Sequence, residues 1–246
     1  MRECYFKEHS NFLERDMEYA VFGSEGKLCL AFIEQDGHYY DYKNFGMIDA
    51  ISPWIEKGII KVVCVDSIDK ETWSYEQGDP HKRIELHENW YHYVIDELLP
   101  KYLPEGEKAM VTGCSMGGFH AGNMFFRRPD LFDIFVSLSG VFNSDFFLHG
   151  YMDSLVYDNS PVHYLTNMPE NHPWMDLYAK STIIACAGNG PFEELLRAGT
   201  MQLDEVLKRK NIPHWFDYWG DDVTHDWCWW QKEMQYFLTH IFGAAE

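Results

Sequence analysis

The sequence predicts a single α/β domain, a mostly parallel central sheet with helices on both faces. Three observations predict it. Two early apolar segments, residues 17–22 (MEYAVF) and 28–33 (LCLAFI), flank a polar turn at 23–27 (GSEGK). After them, strand-like and helix-like segments alternate to the C-terminus, the pattern of a parallel sheet wound with helices. Residues 59–65 (IIKVVCV) are almost continuously apolar, as a strand covered on both faces must be.

The elements follow in order. A polar, aromatic loop spans residues 34–45, and a helix at 48–57 stops at Gly58. A helix at 87–99 ends at Pro100, and a strand at 108–112 runs into Gly113. The next helix, 118–126, ends before Pro129, and residues 134–138 form a strand. Residues 141–180 are irregular and aromatic. A strand at 181–187 precedes a helix at 192–210 that Gly199 interrupts. A short strand at 214–218 and a final helix at 227–241 complete the chain.

A chain of 246 residues suits one domain that buries about three quarters of its unfolded surface. No repeat, low-complexity stretch or linker divides it, so residues 1–246 are expected to fold as one unit. Hydrophobic residues make up 46% and aromatics 17%, which excludes a disordered chain. Lys and Arg number 20 against 39 Asp and Glu, a net charge of −19. That field repels phosphate backbones and anionic bilayers, so neither nucleic acid nor membrane is expected as a partner. The first residues, MRECYFKEH, hold no apolar run, so a secretory signal is not expected. Cys4, Cys29, Cys64, Cys114, Cys186 and Cys228 form no CxxC pair and read as reduced thiols of a cytoplasmic protein.

The chemistry begins at Gly113-Cys114-Ser115-Met116-Gly117-Gly118, which contains G-x-S-x-G. A serine on a sharp strand-to-helix turn holds its hydroxyl clear of the backbone, and the flanking glycines let strand and helix approach. The new helix points its positive end at a developing oxyanion, and the amide of Met116 is placed to donate to it. The bare pattern arises by chance in about one chain in ten of this size. Its context is what selects it: an apolar strand before and a helix after, near mid-chain. The alternative is an ordinary Gly-rich βα turn.

A nucleophile of this kind is followed along the chain by an acid and then a histidine. His225 lies in GDDVTHDW, between the strand HWFDY and the final helix, where the general base belongs. His214 begins that strand, at the wrong end of the sheet. The acid should follow the strand STIIACA, whose loop, GNGPFEE, has no Asp. Glu193 is the first choice, with Glu194 next to it, and Asp221 or Asp222 could substitute. The carboxylate would hold the imidazole in its productive tautomer. Each Glu could equally be a helix-start residue favoured by the macrodipole.

Together GCSMGG, GNGPFEE and THDWCWW resemble the esterase D-like branch of the α/β-hydrolases over nearly the whole chain. That branch includes S-formylglutathione hydrolases, feruloyl and acetyl esterases, and mycolyltransferases. The resemblance implies a serine esterase that hydrolyses a carboxylic ester of a small molecule, without a cofactor. The mycolyltransferases use a Glu as triad acid, in line with Glu193. The family's D-G-x turn falls at Asp36-Gly37-His38, which implies the amide of His38 as second oxyanion donor, with Gly37 beside the substrate. This turn departs from the HGGG-like loops of many esterases. The loop that starts at Asp66-Ser67 should border the site, with Trp73 and Tyr75 lining the pocket or packing under the loop.

Residues 141–180 lie where this fold carries a lid or cap, and could also form a homo-oligomer interface. No metal site is expected: His87 and His92 are five apart, His81 is nearby, and HExxH is absent. No nucleotide motif is present either. The readings that compete with hydrolysis are acyl transfer to an alcohol or sugar, and a non-catalytic binding protein on the same scaffold.

Overall fold

The apolar segments pair into one eight-stranded sheet in the computed structural model, which describes residues 1–245. Residue 246 of the expected domain lies outside the described residues. The strands are β1 (Glu3–Ser10), β2 (Arg15–Phe22), β3 (Lys27–Phe32), β4 (Ile60–Val65), β5 (Ala109–Cys114), β6 (Phe132–Leu138), β7 (Thr182–Ala187) and β8 (Trp215–Tyr218). Their order is β1-β2-β4-β3-β5-β6-β7-β8. β1 and β2 form an antiparallel hairpin, and β2 runs antiparallel to β4. Every later pairing is parallel.

Among the described residues, eleven α-helical segments surround the sheet: α1 (Asp41–Asn44), α2 (Met47–Ala50), α3 (Ser52–Glu56), α4 (Pro80–His92), α5 (Met116–Arg127) and α6 (Asp145–Leu148), then α7 (Ser154–Asp158), α8 (Pro161–Asn167), α9 (Trp174–Ala179), α10 (Glu194–Arg209) and α11 (Trp227–Phe242). Alternate strand residues feed opposite faces, as the pleat requires. Leu30 and Phe32 of β3 join a core with Trp90, Met124 and Leu207 from α4, α5 and α10. Cys29 and Ala31 join another with Ile48, Trp54 and Phe237 from α2, α3 and α11. The parallel sheet with two covered faces is the predicted architecture.

Four local features differ from the sequence reading. β1 was not anticipated, because Glu3, Lys7 and Glu8 interrupt ECYFKEHS; its exposure, however, alternates along the strand. That alternation marks an edge strand: Cys4 and Phe6 pack on the core while Glu3, Tyr5 and Lys7 face water. The helix expected at 48–57 breaks at Ile51, and Pro53 opens α3. The helix expected from 87 begins at Pro80, where Asp79 caps it by accepting from the amides of His81 and Lys82. Gly199 does not interrupt α10. A Cβ there would stand 2.6 Å from Cγ2 of Val141, so the glycine admits Val141 against the helix.

Residues 141–180 carry α6 to α9. They are fastened to the scaffold by a half-buried network in which Arg127 makes a bidentate pair with Glu88 (2.7 and 2.9 Å). Asn159 accepts from Arg127 at 2.9 Å and from Asn123 at 2.7 Å. Tyr178 donates to the carbonyl of Phe126 at 2.6 Å.

Two effects compete at Gly199. Alanine is the better helix former by about 1 kcal/mol, but overpacking typically costs about 1–3 kcal/mol. Gly199→Ala is therefore expected to destabilise the protein. A denaturation midpoint that rises would refute the close-packing account.

Candidate active site

β5 delivers Ser115 to the carboxyl edge of the sheet, and α5 starts at the next residue. Ser115 sits at φ 56° and ψ −122°, backbone that L residues rarely adopt. Two glycines make it possible. A Cβ on Gly113 would lie 2.1 Å from the carbonyl carbon of Gly117, and one on Gly117 would lie 2.2 Å from the carbonyl oxygen of Phe32. The Ser115 amide donates to the carbonyl of Leu138 at 2.8 Å, which ties the turn to β6. Met116 opens α5, so its amide has no intrahelical acceptor.

His225 leaves the loop after β8 and spans the two other side chains. Its Nε2 lies 2.9 Å from Ser115 Oγ and its Nδ1 lies 3.0 Å from Glu193 Oε1. The carboxylate accepts from Nδ1–H, which leaves Nε2 as the acceptor for the serine hydroxyl. Trp230, on the first turns of α11, meets the imidazole edge-on with centroids 4.9 Å apart.

Glu193 precedes α10 and is fully buried. Its Oε1 also accepts from the Ser139 hydroxyl at 2.8 Å. Ser139 in turn accepts from Trp230 Nε1 at 3.3 Å. Sequence reading missed Ser139 and Trp230. The one signal was the Ser-Gly pair just after β6, at the carboxyl edge. Glu194 is exposed on α10, as are Asp221 and Asp222 in their loop, and the structure brings none of them to His225. The acid and base loops are sewn together. The Gly190 amide donates to the Val223 carbonyl at 2.9 Å, and a Cβ on Gly188 would stand 2.2 Å from that same oxygen.

The second predicted oxyanion donor requires correction. The His38 amide already donates to Asp41 Oδ2 at 2.6 Å, so it is engaged within its own turn. Gly37 is half-buried, with its Cα side against the carboxylates of Glu34 and Asp41. Burial pushes the Glu34 carboxyl up to about 7, against the lowering pull of its own amide and of Trp227. Asp66 joins this loop to the next by accepting from the Tyr39 amide at 3.0 Å.

Of the two readings of Trp73, pocket wall or packing residue, the structure agrees with the second. It is 1% exposed and wedged among Phe119 (4.8 Å between centroids), His87 (5.1 Å) and Phe147 (5.5 Å). It packs beneath the elbow helix and offers no open face to a ligand. Tyr75 is exposed. The three histidines weighed as metal ligands do not converge: His81 pairs with Asp153 and His92 with Asp96, while His87 is buried. Beside it a second buried pair, His120 Nε2 to Asp69 Oδ1 at 2.8 Å, links α5 to the loop after β4.

Among the described residues, no helix is long and apolar enough to cross a membrane. The fold matches solved esterase structures across nearly its full length. A ferulic acid esterase superposes with a TM-score of 0.75 at 17% identity, covering 98% of this chain and 99% of that one. An S-formylglutathione hydrolase from Agrobacterium tumefaciens gives 0.74 at 16% identity, covering 97% and 93%. A fluorophosphonate-binding serine hydrolase from Staphylococcus aureus gives 0.69 at 15% identity, covering 98% of each. No curated protein sequence matches. The model of the family described as "Putative esterase" matches residues 10–241, and the chain belongs to that family of carboxylic-ester hydrolases.

Proposed function

We propose that the protein hydrolyses a carboxylic ester through an acyl-enzyme, with Ser115 as nucleophile, His225 as general base and acid, and Glu193 as the carboxylate that orients the imidazole. The observation that carries this reading is the imidazole of His225, with Ser115 Oγ at 2.9 Å and Glu193 Oε1 at 3.0 Å on its two nitrogens. Esterase and hydrolase structures of the same fold support cleavage by water.

As Ser115 Oγ attacks the ester carbonyl carbon, its proton passes to His225 Nε2. The carbonyl π electrons move onto oxygen, where the Met116 amide stabilises the negative charge. Collapse breaks the ester C–O bond, and the imidazolium gives its proton to the leaving alkoxide. Water then attacks the acyl-enzyme with His225 again as base, and Ser115 is released with the carboxylic acid. Throughout, Glu193 keeps its negative charge and stabilises the imidazolium. Six free cysteines, four of them buried, fit a cytoplasmic setting.

Ser115→Ala is expected to abolish fluorophosphonate labelling and to cut p-nitrophenyl acetate turnover by at least about 10⁴-fold. Labelling that persists would refute the nucleophile. Glu193→Gln is expected to lower kcat by roughly 10⁴-fold by selecting the wrong imidazole tautomer. Glu194→Gln should leave the rate unchanged. The reverse outcome would transfer the role to Glu194.

A further inference from the structure

The hydroxyl that touches Glu193 belongs to a residue with an unusual backbone. Ser139 follows β6 and stands at φ 54°, in the left-handed region that residues other than glycine rarely occupy. Its amide donates to the carbonyl of Cys186 on β7 at 2.8 Å. The residue before it, Leu138, accepts from the Ser115 amide at 2.8 Å. The main chain here is therefore held from both sides, by the nucleophile turn and by the strand that leads to the acid. Backbone strain of this kind persists only where the surroundings impose it, and it collects at functional sites.

The side chain shows what this backbone achieves. Ser139, Glu193 and Trp230 are all buried. An indole N–H can only donate, and an ionised carboxylate can only accept. Trp230 Nε1 therefore donates to Ser139 Oγ at 3.3 Å, and the hydroxyl proton is directed to Glu193 Oε1 at 2.8 Å. The same Oε1 accepts from Nδ1–H of His225 at 3.0 Å. Among the described residues, Oε2 of Glu193 has no donor. Ser139 thus supplies one of the two hydrogen bonds on this carboxylate, and the only one that does not come from the base itself.

We propose that Ser139 is a positioning residue for ester cleavage: its hydroxyl, aimed by Trp230, holds Oε1 of Glu193 where it orients His225. This rests on the reading of Glu193 as the orienting carboxylate. A glycine would adopt this φ without strain, so what serine adds is the hydroxyl. Without that bond the carboxyl group can turn about its Cγ–Cδ axis, and the imidazole loses the fixed acceptor that sets its tautomer and its aim at Ser115.

The test measures kcat and KM on p-nitrophenyl acetate for the full-length wild type, Ser139→Ala, Ser139→Gly, Glu193→Gln and the double variant Ser139→Ala with Glu193→Gln. Both Ser139 variants should lower kcat about 10–100-fold with KM little changed. Glycine relaxes the backbone and alanine leaves it strained, so similar losses in the two identify the missing hydroxyl as the cause. Full activity in Ser139→Gly would overturn the proposal. In the Glu193→Gln background, adding Ser139→Ala should cost less than about twofold more, because the carboxylate it acts through is already gone. An equal loss in both backgrounds would show Ser139 acting independently of Glu193, and would also overturn the proposal. If Ser139→Ala does not fold, Ser139→Gly takes its place in the double variant. Full activity in Glu193→Gln would refute the reading beneath. A crippled Glu193→Gln beside fully active Ser139 variants would refute the role of Ser139 alone.

Discussion

The crossing of β5 and α5 at Ser115 is the constraint on which the rest of the site depends. Gly113 and Gly117 touch each other, and Gly117 rests on the carbonyls of Phe32 and Ile33. With no Cβ atoms in the way, the chain reverses within one residue, and Ser115 takes the left-handed backbone that lifts Oγ above the sheet. The same turn leaves the Met116 amide unpaired at the start of a twelve-residue helix. The raised hydroxyl and the unpaired amide are thus two products of one steric arrangement. The outer loops have only to meet a point that the sheet has already fixed.

Charge is handled differently. A buried carboxylate is tolerated when donors surround it. Glu193 has two on a single oxygen, the Ser139 hydroxyl and the His225 ring. Trp230 braces both, with its indole N–H on Ser139 and its ring edge-on to the imidazole. Ser139, Glu193 and His225 therefore come from the three successive segments that follow β6, β7 and β8, and α11 closes over them. Sheet order puts the loops side by side, since β6, β7 and β8 are neighbours.

Much of this was legible in the sequence, for physical reasons. Apolar runs such as IIKVVCV and STIIACA have few structures open to them, and glycines at 113 and 117 mark a close approach that other residues cannot make. β1 escaped notice because an edge strand needs apolar residues only on alternate positions, and its charges masked them. Gly199 looked like a helix breaker, but its role depends on Val141, a contact across the fold that no local pattern records. Trp73 illustrates the same limit: an aromatic near a site mouth and one beneath it have the same local sequence. The His38 amide was misplaced because Asp41, three residues on, captures it in the turn. Ser139 carries no motif, and its importance comes from its contact with Glu193 in three dimensions.

The stitching between the acid and base loops has a mechanical consequence. Gly188 and Gly190 bind these two segments to each other through Val223, and the elbow at Ser115 is tied to Leu138 at the end of β6. The next residue, Ser139, donates to Glu193, so the elbow and the carboxylate share one strand end as their anchor. No one of the three loops can be displaced without straining its attachment to another.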